Sequence, residues 1–407
     1  MNSPHRPTPQ RPLPDAQRLH RRRVPLGLAA GRAILATVVA LSLTSIILPP
    51  AQAQAPLLST LALTRVSDLL TALKTRTDDS DPRYYKDKVW HDGTATCFRC
   101  TLGPAVLSAI DGSSQHDAAA IQTAVESFDL ALKKHQHPDG AIVPAAPGEG
   151  GPDIQTVMFA NELAETYLIL GDDLDPAHRR QWSKALTRSA DFLIKNGNLG
   201  YYTNGNVNLS NTMLMDLTYR ITKLTRFKSA AKRSLAFTTN PPQKDKWAGF
   251  GLRYSTVPTK ADGSDGAAYL TESGAEGPGY DPAYTIFQSN LAAAWYLLTA
   301  NPDALRLTNL LYNQLVPRVR TSDWTIDVSG GTRRTAPGVR YPFYSAALPV
   351  LALRGGRSDL VDLVQSQNES ALTEYRGATN YAHAGFSFNY GLELGMAVRV
   401  ITTTPGW

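Results

Sequence analysis

From Pro56 onward the chain runs as one amphipathic helical pattern after another, and the segments are joined alternately by short turns and by long loops. About twelve helical segments of ordinary length can be counted. Residues 57–73 place apolar side chains at helical spacing, and in residues 175–197 the boundary signals agree: Asp175 is a cap, Pro176 suits the first turn and Gly197 ends the run. Few β-branched alternating stretches interrupt this pattern, so the predicted class is all-α. Residues 77–92, 137–152, 240–281 and 321–340 read as loops. Successive helical hairpins, each apolar on a broad face, bury those faces by curving into a ring of inner and outer helices. The mature length accommodates about six hairpins, an (α/α)6-type toroid whose long loops collect at one end and line a cleft. An open α-solenoid would require a repeat of fixed period, and none is visible.

The first 55 residues stand apart as a leader. Arg18, Arg21, Arg22, Arg23 and Arg32 precede an apolar run over 33–48, followed by Pro49, Pro50 and the small-residue cleavage patterns of 51–55. This is the layout of a secretory signal peptide, too short and too rich in Ser and Thr for a stable membrane span; it predicts an exported protein whose toroid occupies 56–407. The RRRVPL stretch is only a partial twin-arginine pattern and leaves the export route open. The leader also carries the charge imbalance. Residues 1–53 hold seven of the 41 basic and one of the 35 acidic residues, which leaves 34 of each. The pI of about 9.2 therefore belongs to the leader. The mature chain has no electrostatic footprint for nucleic acid, and an anionic substrate would have to find its counter-charges locally. Cys97 and Cys100 form a lone C-F-R-C, read in an exported chain as a short structural disulfide or two buried thiols.

Four polar stretches compete for the cleft. Residues 271–284, TESGAEGPGYDPAY, hold Glu272, Glu276, Tyr280 and Tyr284 in a Gly/Pro-rich backbone at the mouth of a helix that Asp281 caps and Pro282 begins. TNGNVNLSN, residues 203–211, reads as a turn leading into a helix. Its Asn204, Asn206 and Asn208 at alternate positions offer more amide donors than one turn uses, as a carboxylate clamp requires. GFGLRYS supplies Arg253 and Tyr254, and an adjacent arginine lowers a phenol pKa toward that of a base. YAHAGFSFNYG, residues 381–391, contributes Tyr381, His383, Asn389 and Tyr390. Arg333 and Arg334 add positive charge on the Gly-Gly loop DVSGGTRRT. Asn caps and turns, solvated arginines and structural histidines account for the same residues without chemistry.

An all-α chain that reads ESGAEGPGYDPAYTIFQ, preceded by TNGNVNLSNTM and followed by SGGTRR and a late His-containing stretch, resembles the toroid domains of polysaccharide lyases, of the heparinase II/III-like and hyaluronate or alginate lyase-like groups. The resemblance implies β-elimination on a uronate-containing polysaccharide. Asn204 and Asn206 would neutralise the sugar carboxylate, Tyr280 or Tyr254 would serve as base or acid, and His383 and Arg253 would assist. Asn208, Glu272, Glu276, Tyr284, Trp247, Arg333 and Arg334 would bind substrate, and neither metal nor cofactor is called for. Two alternatives stay open. A glycoside hydrolase on the same toroid would use paired carboxylates drawn from Asp153, Glu276 and Asp281. A non-catalytic carbohydrate-binding protein would use the tyrosines and Trp247 only to stack on sugar rings.

Overall fold

A computed structural model of the chain describes residues 62–375 and 395–404, apart from 78–82, 93–97, 113–115, 144–150, 334–335 and a few isolated positions. All of them belong to one compact unit, Leu48–Trp407. The helices are α1 (Phe98–Ser108), α2 (Ala118–His135), α3 (Gly151–Leu170), α4 (Pro176–Lys195), α5 (Gly205–Thr222), α6 (Thr225–Thr239), α7 (Pro282–Thr299), α8 (Pro302–Leu315), α9 (Ala347–Leu353) and α10 (Val361–Tyr375). The expected caps are in place: Asp175 accepts from the backbone N–H groups of Ala177 and His178, and Asp281 accepts from that of Tyr284, each with a proline in the first turn.

Each odd-numbered helix packs on the next odd-numbered one, and each even-numbered helix packs on the helix before it. The odd set is thus an inner wall and the even set an outer one. Burial shows the same division. Inner α5 is buried without a break from Gly205 to Thr218, and α7 from Thr285 to Trp295. Outer α4 buries Trp182, Ala185, Leu186, Ser189, Ala190 and Leu193, the single stripe of an amphipathic helix. Helical residues 395–396 and 398–401 join the end of this wall to its beginning: Gly395 lies against Leu107 of α1 and Ile110 just beyond it, Arg399 donates to the Ile169 carbonyl of α3, and Arg354 after α9 donates to Thr403. Ala62, Val66, Leu70 and Leu73, buried at helical spacing, belong to the same core. The fold is the predicted α/α toroid.

The connections sort by end. Short turns, 171–175, 223–224, 300–301 and 354–360, follow the inner helices, whereas 136–150, 240–281 and 316–346 lead from an outer helix into the next inner one. The long loops therefore gather where the inner helices begin. There the N-terminal ends of α3, α5, α7 and α9, the positive ends of their dipoles, come together. Contrary to the loop reading, several of these segments are paired. β1 (Arg83–Lys86) and β2 (Val89–Asp92) form a hairpin, β3 (Leu252–Thr256) pairs with β4 (Ala267–Leu270), β5 (Glu272–Gly274) with β6 (Gly277–Gly279), and β7 (Val319–Arg320), β8 (Thr325–Asp327) and β9 (Arg340–Pro342) make a three-stranded sheet. Strands of two to five residues are too short to display an alternation, which is why periodicity missed them.

Polar groups inside the wall act as cross-ties. Asp216 of α5 accepts from the Trp295 indole at 2.7 Å and from Asn301 Nδ2 at 3.2 Å, joining α5 to α7 and to the cap of α8. Asp216→Ala leaves a buried indole N–H without an acceptor, and urea unfolding of this variant is expected to show about 2–3 kcal/mol less stability. An unchanged midpoint would show that water replaces the tie.

Candidate active site

The centre of the loop-bearing end is a carboxylate that solvent does not reach. Glu272 opens β5 and pairs with Gly279 of β6, and the hairpin turns at Ala275 and Glu276. Its side chain is fully buried and accepts three hydrogen bonds: from Asn204 Nδ2 at 3.0 Å, from the Asn206 backbone N–H at 2.8 Å and from Gln288 Nε2 of α7 at 2.8 Å. Asn204 is the N-cap of α5, yet its own side chain caps nothing, so the cap is supplied by a residue far along the chain. The backbones must meet closely for this. Gly205 N–H donates to the Thr271 carbonyl at 3.0 Å, and a Cβ at Gly205 would lie 2.5 Å from that of Leu270. Burial pushes the Glu272 carboxyl up to about 7, against the pull of its donors and of the Arg333 charge.

The Gly-Gly loop docks on the same hairpin. Asp281 caps α7 with Oδ1, while its Oδ2 accepts from Thr332 Oγ1 at 3.2 Å and from the Arg333 backbone N–H at 3.1 Å. Thr332 N–H donates to the Tyr280 carbonyl at 3.2 Å, and Thr332 sits so close to Gly274 and Gly279 that a Cβ at either would come within 2.6 Å of it. This anchorage aims Arg333 across the first turn of α7. Its Nη1 donates to the Tyr284 phenol oxygen at 2.5 Å, and the guanidinium carbon lies 4.4 Å from the ring centroid. Among the described residues no carboxylate pairs with this exposed guanidinium. A fixed cation with no described carboxylate partner, stacked on a phenol, can receive an anion and stabilise a phenolate in one place.

The structure thus brings TNGNVNLSN, ESGAEGPGYDPAY and SGGTRR together, but with other pairings than the sequence reading proposed. The expected asparagine clamp does not form. Helix α5 begins at Gly205, inside the stretch read as a turn, and positions two apart on a helix are turned by about 200° from each other. Asn204 is occupied by Glu272, Asn208 donates to the Tyr202 carbonyl, and Asn206 Oδ1 accepts from the Val207 N–H. Nor does Arg253 act on Tyr254. Neighbours on a strand face opposite sides, and Arg253 is held by the Gly249 carbonyl and Gln243, whereas the exposed Tyr254 phenol is 3.5 Å from Arg306. The arginine–tyrosine pair exists, made instead by Arg333 and Tyr284. Tyr280 lies between Tyr269 and Arg318, and burial pushes its phenol up to about 12, which suits a proton donor and not a base at neutral pH. Of the hydrolytic carboxylates, Asp281 is committed to three donors, Glu276 is exposed at the hairpin turn, and Asp153 stands in the first turn of α3. Trp247 lies beyond the start of α5, its indole N–H on the Tyr201 carbonyl. Arg334, Tyr381, His383, Asn389, Tyr390 and the Cys97/Cys100 side chains lie outside the described residues. Gln288 and Thr332 were not foreseen. A glutamine inside the apolar IFQSNLAAAW run was the available signal for the first.

Residues 106–247 match the family model of the ulvan lyase N-terminal domain. The matched stretch runs from α1 to Trp247 and contains the Asn204 side of the site, while Glu272, Tyr284 and Arg333 follow it. No curated protein matches the chain. Among solved structures, D-mannose isomerase is similar with a TM-score of 0.52 at 12% identity, over 88% of this chain and all of that one. Unsaturated glucuronyl hydrolase from Streptococcus agalactiae gives 0.48 at 11% identity, over 86% and 93%, and a family 76 glycoside hydrolase from a bovine Bacteroides thetaiotaomicron strain gives 0.42 at 12%, over 84% and 76%. At such identity the isomerase likeness speaks for the fold alone, and the two hydrolase likenesses are weaker still. The resemblance to polysaccharide-lyase toroids is shown by the lyase-domain match together with the toroid itself.

Proposed function

We propose that the chain is an exported polysaccharide-active enzyme that cleaves a uronate-containing polymer by β-elimination at the loop-bearing end of the toroid. The observation that carries this reading is the Arg333–Tyr284 pair: a guanidinium held over a phenol, its other face free of any described carboxylate. In elimination the sugar carboxylate must be neutralised before the weakly acidic C5 proton can leave, and Arg333 meets that need. The Tyr284 oxygen, as phenolate under the guanidinium, takes the C5 proton. The freed pair forms the C4=C5 double bond as the C4–O bond breaks, and the phenol returns its proton to the leaving oxygen. The lyase-domain match over 106–247 supports the same choice, and the leader pattern supports export.

The test follows ultraviolet absorbance of the conjugated unsaturated uronate while the mature protein is incubated with a panel of uronic-acid polymers. A rise with one polymer is expected. New reducing ends without absorbance would replace elimination by hydrolysis, with Glu276 and Asp153 as the carboxylates to mutate first.

A further inference from the structure

Next to the start of α5 lies a second feature for which neither the fold nor the elimination chemistry has a use. Tyr201, three residues before the Asn204 cap, is 57% exposed, the side chain of an aromatic residue on open surface. Lys246 Nζ sits 3.4 Å from the centroid of its ring and 5.1 Å from that of Trp247. The arrangement is built from beneath. The Trp247 indole N–H donates to the Tyr201 carbonyl at 3.1 Å, Trp247 meets Phe237 of α6 edge-on at 6.0 Å, and Tyr202 meets Tyr201 edge-on at 5.3 Å. Asp245 adopts φ 53°, a left-handed conformation uncommon for an aspartate, and the tight turn that it opens presents Lys246. The loop also abuts the Glu272 hairpin, since a Cβ at Gly249 would lie 2.7 Å from Pro278 of β6. Among the described residues no carboxylate pairs with Lys246.

An ammonium held over two aromatic rings loses much of the freedom of an ordinary surface lysine, so an anion that binds there does not have to order it. We propose that Tyr201, Lys246 and Trp247 form a subsite for an anionic sugar residue of the bound polymer, its carboxylate or sulfate ester on Lys246 and its ring against the exposed aromatic edge. This inference rests on the reading that an anionic glycan crosses this end of the toroid. It adds a contact away from the reacting bond, on the side where the hairpin meets the loop over 245–250.

The experiment measures binding without turnover. Affinity electrophoresis of the full chain carrying Tyr284→Phe is run in native gels containing alginate, dextran sulfate or neutral dextran, with and without Lys246→Met, which keeps the stem and removes the charge. Retardation by alginate or dextran sulfate, weakened about threefold to tenfold by Lys246→Met and absent with dextran, is the expected result. The alginate and sulfate arms tell which anion the subsite takes. Tyr201→Ala is expected to weaken binding to the same polymer. Equal retardation with and without the lysine charge would overturn the subsite. So would a lowered melting temperature of Lys246→Met with equal loss on all gels, which would make the lysine a structural staple. Lys246-dependent retardation in a protein that yields no unsaturated product would leave the subsite standing and remove the elimination reading instead.

Discussion

Tyr284→Phe is expected to lower kcat on the preferred uronate polymer by about two to four orders of magnitude while the protein stays folded. The ring that Arg333 covers is retained, so packing at the start of α7 changes little, and only the oxygen 2.5 Å from Nη1 is lost. Arg333→Ala removes the partner and should cost about two to three orders of magnitude in kcat/KM. Arg333→Lys should recover only a fraction of that, because an ammonium cannot both stack flat on the ring and present a second edge to a carboxylate. Initial rates from absorbance, with circular dichroism and melting temperature as folding controls, check all three. If the phenylalanine variant keeps its rate within a few-fold, Tyr284 is not the base, and Tyr254 and His383 become the side chains to mutate next.

Glu272→Gln is expected to change the pH dependence of both stability and activity. The carboxyl titrates near 7 in the folded protein against an ordinary value of 4.5, so the fold holds the proton more tightly than the unfolded chain. Stability from this group is full below about 4.5 and is lost as the pH rises through 7, on the order of 3 kcal/mol in all. Activity should run the other way. Above 7 the charged carboxylate accepts from Asn204, Asn206 and Gln288 and fixes the start of α5; below it one oxygen becomes a donor facing other donors. Denaturant melts at about pH 5 and pH 8 should therefore differ more for the native protein than for Glu272→Gln. The acid limb of the native pH–rate profile near 7 should also disappear in the variant. Equal pH dependence in both proteins would show that another group sets the limb.

Much of the architecture was legible before any coordinate. Helix periodicity, the Asp175–Pro176 and Asp281–Pro282 starts and the alternation of short and long connections are all local signals, carried by residues within a turn or two of each other. Together they pointed to the toroid and to the end of it at which the long loops gather. Of the polar stretches that the sequence offered, 203–211, 271–284 and the Gly-Gly loop of Arg333 meet there; it offered two others equally. What local signals could not determine was which side chain faces which. Glu272 and Asn204 are 68 residues apart, and Arg333 and Tyr284 are 49 apart. Such pairs depend on closure of the ring and on the docking of Thr332 against two glycines, neither of which leaves a trace in periodicity or composition. The asparagines show the same limit in reverse: a spacing of two looked convergent as a turn, and became divergent once tertiary contacts started α5 at Gly205. The ring and the polar residues available at its mouth follow from local signals along the chain. That a buried glutamate takes the amides and an exposed arginine takes the phenol follows from the folded arrangement alone, because pairing across the chain is a property of packed surfaces rather than of neighbouring residues.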